Sequence, residues 1–266
     1  MTTKRKQPRS RLDQALVERG FFESREQAQR AVLAGEVRVN QRLARKSSEP
    51  IQPDDEIAVE KAQRFVSRGG FKLELAIQQF RLQIEGAVAI DVGASTGGFT
   101  DCLLQSGAAR VYAIDVGQGQ LAWKLRNDPR VVVMEKVNAR YLRSDRFPQP
   151  FQPVDLAVMD CSFISASKII PQLVPLVRLG GNIVALAKPQ FEAGKAEVDR
   201  GAGVITDPAI HVRVLHELRE FVQQVPGLKW QEYIPSPLLG PAGNKEFLIL
   251  LSREPNESIA FSQGSS

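Results

Sequence analysis

The spacing of apolar positions in this 266-residue chain changes character near residue 70. Before that point Leu12, Ala15 and Leu16 recur at helical spacing, and Gly20 stands where a C-terminal cap falls. Ser24-Arg-Glu-Gln27 reads as a capping box, after which Ala28, Ala31 and Val32 form a narrow apolar stripe that stops near Gly35. Val37-Arg-Val then alternates, Asn40-Gln makes a turn, and Ile57-Ala-Val resumes a strand after Pro53-Asp-Asp. Two short helices and a few small strands are therefore predicted within residues 1–60. Residues 61–70, KAQRFVSRGG, end in two glycines and read as a linker.

Beyond the linker, strands alternate with helices. Strands are predicted at 87–91, 110–115, 131–135, 154–159, 181–187, 228–234 and 245–251, with helices at 72–80, 97–106, 119–126, 165–178 and 208–224. Asp207-Pro208 marks a helix start, with Asp at the N-cap and Pro in the first turn. Such alternation predicts an α/β domain over residues 71–254, a seven-stranded, mainly parallel sheet with helices on both faces. Ligands of such sheets bind at the carboxyl ends of the strands. Residues 255–266 read as a flexible tail.

Composition narrows the class. With 43% hydrophobic and 24% charged residues the chain is globular, which excludes disorder and collagen-like repeats. Two cysteines, Cys102 and Cys161, are too few for a disulfide framework and lack zinc-type spacing. His211 and His216 lie off the spacing of a metal-binding helix, so no metal site is expected. Arg178, Pro171 and Pro175 interrupt Ile169–Ala187, so no segment reaches the roughly 20 apolar residues a spanning helix needs. The stretch Met1 to Ser10 is basic and lacks the apolar run of a signal peptide. A cytoplasmic protein with no membrane partner is expected.

The net charge of +5 is unevenly placed. Residues 1–50 hold 12 basic and 6 acidic side chains, whereas residues 51–266 hold 23 and 24. A +6 module on a near-neutral domain has the charge layout of a nucleic-acid-binding attachment, the bland alternative being a solvated basic tail. Arg11, Ser24, Arg25, Arg30, Arg38 and Arg42 are its candidate RNA contacts, with Arg45 and Lys46 nearby. The run RLDQALVERGFFESREQAQRAVLAGEVRVN resembles the S-four-type RNA-binding module, which implies that this basic surface lies on structured RNA.

At the first predicted strand of the larger domain, Ala87-Val-Ala-Ile-Asp91 runs into Val-Gly93-Ala94-Ser95-Thr96-Gly97-Gly98-Phe99. A phosphate-binding loop is excluded, because Phe99 stands where the phosphate-gripping lysine belongs. A dinucleotide fingerprint lacks its second glycine here. The loop resembles the first motif of class I S-adenosylmethionine-dependent methyltransferases, which implies a Rossmann-like fold of that class and S-adenosylmethionine as cofactor. Asp115 ends the second strand, where a carboxylate can accept both ribose hydroxyls. Val116 follows it, and Asn138 follows the third strand, placed to read an adenine edge. Asp91, Gly93 to Phe99, Asp115, Val116, Asn138 and Asp160 are thus the candidate cofactor residues.

Asp160 ends the fourth strand in Asp160-Cys-Ser-Phe163. The prolines of base-amino methyltransferases are missing there, as is the Pro-Cys context of a cytosine-C5 nucleophile. Lys188 ends the fifth strand, Glu246 opens the last, and Lys72 lies in SRGGFKLE. The four resemble the Lys-Asp-Lys-Glu tetrad of FtsJ-like 2′-O-ribose methyltransferases. SRGGFKLE, DVGASTGGFTD, DCSFIS, AKPQFE, GVITDP and GPAGNKEF carry a closer resemblance to the TlyA (hemolysin A) family over residues 11–250. Cys161 departs from it, standing where a small aliphatic residue is expected.

The resemblance implies S-adenosylmethionine-dependent 2′-O-methylation of a cytidine in ribosomal RNA of one or both subunits, with Lys72, Asp160, Lys188 and Glu246 catalytic. A ribose hydroxyl must shed its proton as the new C–O bond forms, a task for a desolvated lysine oriented by a carboxylate and a second cation. Ribosomal RNA or ribosomal subunits are the expected partner. No obligate protein partner is evident, and either a monomer or a dimer fits. Two other classes stay open at this point: a pore-forming protein, after the family's second name, and a non-catalytic RNA-binding assembly factor.

Overall fold

The computed structural model describes residues 10–33, 35–59 and 64–255. The chain divides into two compact units, Met1–Arg64 and Phe65–Ser266.

In the smaller unit, helices α1 (Leu12–Glu18) and α2 (Arg25–Leu33) accompany five short strands: β1 (Ser10–Arg11), β2 (Val37–Val39), β3 (Arg42–Leu43), β4 (Pro50–Ile51) and β5 (Ile57–Val59). β1 pairs with β4, and β3-β2-β5 form an antiparallel sheet. The apolar stripes close on each other as Leu12, Leu16, Ala28, Val32, Val37 and Ile51 bury together. The capping box forms with a shift. Ser24 Oγ accepts from Gln27 N, but the Gln27 side chain reaches back to Glu23 N, one residue before the position the motif anticipates.

The larger unit holds a sheet of β6 (Val88–Val92), β7 (Arg110–Ile114), β8 (Val131–Met134), β9 (Val154–Met159), β10 (Val177–Ala187), β11 (Leu228–Pro235) and β12 (Phe247–Arg253). Their order is β11-β12-β10-β9-β6-β7-β8, with β12 antiparallel to both neighbours and the other adjacent pairs parallel. The helices are α3 (Gly69–Gln79), α4 (Gly98–Gln105), α5 (Trp123–Arg126), α6 (Ile170–Leu173), α7 (Pro189–Glu192), α8 (Lys195–Arg200) and α9 (Pro208–Gln223). Successive strand side chains point to opposite faces, so Ile90 and Val92 join one apolar cluster with α6 and α9, while Ala89 joins another with α3 and α4.

Several stretches depart from the sequence pattern. The helix predicted at 165–178 is a broken series: a 3-10 turn at Ala166–Lys168, α6, a second 3-10 turn at Val174–Leu176, and then β10. Pro171 and Pro175 each sit in the first turn of a new piece, where the missing N–H costs nothing but the preceding piece must end. β10 begins at Val177, passing Gly180 and Gly181 with a register shift against β9, an irregularity that hides the early part of the strand from a periodicity reading. The helix read at 119–126 shortens to α5.

Residues 65–70, read as linker, pack into the larger unit: Phe65 is buried among Leu73 and Ala76, and Val66 N donates to Asp101 Oδ2 at 2.8 Å. Residues 61–63 and the tail from 256 onward lie outside the described residues. Among the described residues no helix is long and apolar enough to cross a membrane.

Candidate active site

Topology gathers four charged residues that are far apart in sequence. Asp160 follows β9 and Lys188 follows β10, so both stand at carboxyl ends of parallel neighbours. Because β12 runs the other way, its start pairs with the end of β10, Phe247 opposite Ala187, which brings Glu246 to the same rim. Lys72 reaches it from the first turn of α3. Lys188 Nζ lies 2.5 Å from Asp160 Oδ1, and Lys72 Nζ lies 2.5 Å from Glu246 Oε2 and 4.0 Å from Asp160 Oδ2. Lys72, Lys188 and Glu246 are buried and Asp160 is partly open. Two cations and two carboxylates thus form one balanced chain facing a cavity of about 290 Å³.

Several neighbours that sequence reading passed over hold this cluster. Lys188 donates to Ser162 Oγ at 3.1 Å. Glu192, on the helix after Lys188, accepts from Ser165 Oγ at 2.6 Å and Ala166 N at 2.7 Å, tying the loop after Asp160 to the loop after Lys188. Burial raises its carboxyl above the ordinary range, although these two hydrogen bonds oppose the shift. Asn244, also buried, accepts from Ile205 N at 2.8 Å and donates to Gly203 O at 2.9 Å. GVITDP therefore braces the loop that delivers Glu246. None of these links has a local signal, since each joins residues 26 to 41 positions apart.

Cys161 sits beside the cluster with its Sγ 3.6 Å from Val92 O. Burial, reinforced by the Asp160 charge, pushes its thiol up to about 12. It stays protonated at neutral pH, which disfavours a thiolate nucleophile.

The glycine loop leaves β6 alongside a second cleft of about 440 Å³, which shares Gly93, Ser95, Asp160 and Ser162 with the first. Gly93 has φ +82°, and a Cβ there would stand 2.6 Å from Asp160 O, so only glycine lets the ends of β6 and β9 approach. Asp115, Val116 and Asn138 line this second cleft. The Asp115 carboxylate accepts from Ser95 N at 2.8 Å and Gly117 N at 2.7 Å, and Val116 is 72% exposed. Asn138 Oδ1 accepts from Arg140 N, which fixes the side chain as a cap.

Other loop residues stand elsewhere. Ala94, Thr96, Gly98 and Phe99 line the tetrad cavity. Gly97 lines neither cleft; at φ +99° it packs against Leu121 and Leu125, leaving no room for a Cβ. Asp91 is fully buried behind the loop, where Thr100 N and Oγ1 donate to its Oδ2 at 2.9 and 2.6 Å. Its Oδ1 makes no hydrogen bond among the described residues, and desolvation pushes the carboxyl up to about 7.

In the small unit, five of the six candidate RNA contacts already have partners within the unit. Arg11 grips Asp13 with Nε and Nη2, both at 3.0 Å, and Arg25 Nη2 donates to the same carboxylate at 3.1 Å. Arg42 pairs with Glu49 at 3.6 Å, Arg38 Nη1 donates to Gln41 O, Ser24 caps α2, and Arg30 is exposed.

A seven-stranded sheet with one antiparallel member, a glycine loop at the first strand and two joined clefts at the strand ends define a class I methyltransferase architecture. The FtsJ-like methyltransferase family model matches residues 65–253, and the S4 domain model matches residues 10–57. The Bacillus subtilis protein YqxC is 45% identical over 252 residues, covering 94% of this chain and 87% of its own. The Mycobacterium tuberculosis protein named 16S/23S rRNA (cytidine-2′-O)-methyltransferase TlyA is 41% identical over 256 residues, covering 95% and 93%. A structure from Streptococcus thermophilus described as a hemolysin superposes with TM-score 0.70 at 43% identity, covering 94% and 90%. The chain belongs to the FtsJ-like methyltransferase family, in the TlyA (hemolysin A) group that joins this domain to an S4 domain.

Proposed function

We propose that this protein transfers the methyl group of S-adenosylmethionine to the 2′-hydroxyl of a cytidine in ribosomal RNA. The observation that carries this reading is the Lys72–Asp160–Lys188–Glu246 chain, set where the tetrad cavity meets the glycine-loop cleft. The cleft suits the cofactor: Gly93 leaves backbone close to the shared wall, Asp115 offers carboxylate oxygens for ribose hydroxyls, and Val116 presents an open apolar face for a purine. When bound, S-adenosylmethionine supplies an electrophilic methyl on its sulfonium.

The chain's own residues then do the acid–base work. Lys188 Nζ, acting as the neutral amine after losing its own proton to solvent, takes the proton of the 2′-hydroxyl as the C–O bond forms to the methyl the cofactor would supply, the sulfur keeping the bonding pair. Asp160, 2.5 Å away, fixes the lysine and balances the charge it gains. Glu246 locks Lys72 near Asp160, so that the Asp160 carboxylate is held between the two lysines rather than free to rotate. Alignment of acceptor and donor supplies much of the rate, because an in-line displacement needs near-attack geometry.

The small unit is proposed to dock ribosomal RNA through its basic surface, and the substrate to be RNA of one or both ribosomal subunits. The S4 domain match over residues 10–57 supports the first point, and the name carried by the mycobacterial relative, at 41% identity, supports the second. The RNA-binding domain is proposed to end near residue 60, and the methyltransferase domain, expected at 71–254, to take in residues 65–70 as well. Radiolabelled methyl transfer to ribosomal RNA tests the reading. Wild-type protein is expected to label it and Lys188→Ala not, with S-adenosylmethionine bound by both; full activity in Lys188→Ala contradicts the tetrad assignment.

A further inference from the structure

We propose that Arg68 binds the phosphodiester on the 3′ side of the acceptor ribose. This rests on the RNA-methylation reading above and assigns a subsite within it.

The formal charges of the tetrad cancel, and each lysine lies 2.5 Å from a carboxylate. Among the described residues, Arg68 is the one other charged residue that lines the tetrad cavity. It is exposed, and its guanidinium makes no ion pair or hydrogen bond among the described residues. The backbone beneath it is fixed: Arg68 caps α3, its carbonyl accepts from Phe71 N at 3.2 Å, and Ser67 packs against Gly98 at the start of α4. Lys72 follows Arg68 by four residues, one helical turn, so the two side chains share a face of α3 roughly 5–6 Å apart at Cβ.

RNA chemistry makes that position informative. The 2′-oxygen sits on the carbon next to the one bearing the 3′-phosphodiester. A pose that presents the hydroxyl to Lys188 therefore carries a phosphate to the rim of the same cavity. That anion would meet Asp160 and Glu246 with both lysines already committed, and repulsion would oppose entry unless a further cation took it. Arg68 is that cation, and a planar guanidinium matches two phosphate oxygens at once.

The test uses full-length Arg68→Ala and Arg68→Lys with protein-free ribosomal RNA and isolated ribosomal subunits as probes. Arg68→Ala is expected to weaken RNA binding roughly tenfold, in line with removal of one charged hydrogen bond. It should lower the log–log salt slope by about 0.7–0.9 and raise KM for RNA with kcat little changed. Arg68→Lys should restore the slope and part of the affinity. S-adenosylmethionine affinity and the unfolding midpoint should match wild type, because the side chain has no partner among the described residues. If wild type binds and methylates RNA and Arg68→Ala matches it in affinity, slope and KM, the phosphate assignment alone is overturned. If wild type neither binds nor methylates RNA, the functional reading falls with it.

Discussion

Asp160 Oδ1 stands 2.5 Å from Lys188 Nζ, each residue immediately beyond the end of one of two adjacent parallel strands. A carboxylate so placed orients the lysine without having to touch the acceptor itself. Asp160→Asn keeps the shape and removes the charge. It is expected to lower kcat by about 10²–10⁴-fold, the usual worth of positioned acid–base chemistry, while RNA affinity stays near wild type. Single-turnover methyl transfer alongside filter binding separates the two; equal losses in both would mean Asp160 serves binding instead.

The Lys72–Glu246 pair is buried, and a buried ion left without its partner is costly. Glu246→Ala is expected to destabilise the larger unit by about 3 kcal/mol in thermal or denaturant unfolding. Combining it with Lys72→Met should recover much of that loss while transfer stays abolished. Recovery of activity in the double variant would show that the pair has only a structural role.

Asp91 gives a pH signature. Its folded carboxyl is raised from 3.8 to about 7 by burial, so the native state holds a proton that the unfolded chain releases. The stabilisation is fully present below about pH 3.8 and is lost as pH rises through about 7, with a slope of at most about 1.4 kcal/mol per pH unit. Asp91→Asn should flatten unfolding free energy across that window; an unchanged profile would show that Asp91 is ionised in the fold.

Asp13 carries the opposite sign. The hydrogen bonds from Arg11, then Gln29 and Arg25, hold its carboxyl well below the ordinary range against the cost of burial. Its contribution is present above the unfolded value near 3.8 and disappears as pH falls below it. Asp13→Ala should weaken the small unit by about 1.5–3 kcal/mol at neutral pH, the range for hydrogen bonds to a charged group. Hydrogen exchange in α1 and α2 reads this unit separately, and unchanged protection there would refute the network's role.

Charge in the small unit should act through counterion release. Neutralising Arg30 and Arg42 together is expected to reduce the salt slope of RNA binding by about 0.7–0.9 for each phosphate that is no longer neutralised, with cofactor affinity unaltered. An unchanged slope would mark these side chains as a solvated face.

Much of the fold, and the strand-end positions of Asp160 and Lys188, were legible in the chain because they rest on local signals, whereas Lys72 and Glu246 entered through the resemblance to the FtsJ-like tetrad. Apolar runs such as Val154–Met159 give buried strands, and a charged residue directly after each run falls at a strand end. Legibility failed where proline and glycine interrupt periodicity, as from Pro171 to Gly181. It failed also where a residue works through a distant partner, as Glu192 and Asn244 do. Gly97 shows a third limit: a motif glycine beside a ligand loop can be required by packing against Leu121 and Leu125 rather than by the ligand.

Nucleoside analysis of ribosomal RNA from cells lacking this protein, before and after incubation with purified protein and S-adenosylmethionine, tests the central claim most directly. The expected result is 2′-O-methylcytidine appearing at discrete positions with wild-type protein and not with Lys188→Ala. Methylation on a base, or no incorporation into ribosomal RNA or intact subunits, would contradict the account.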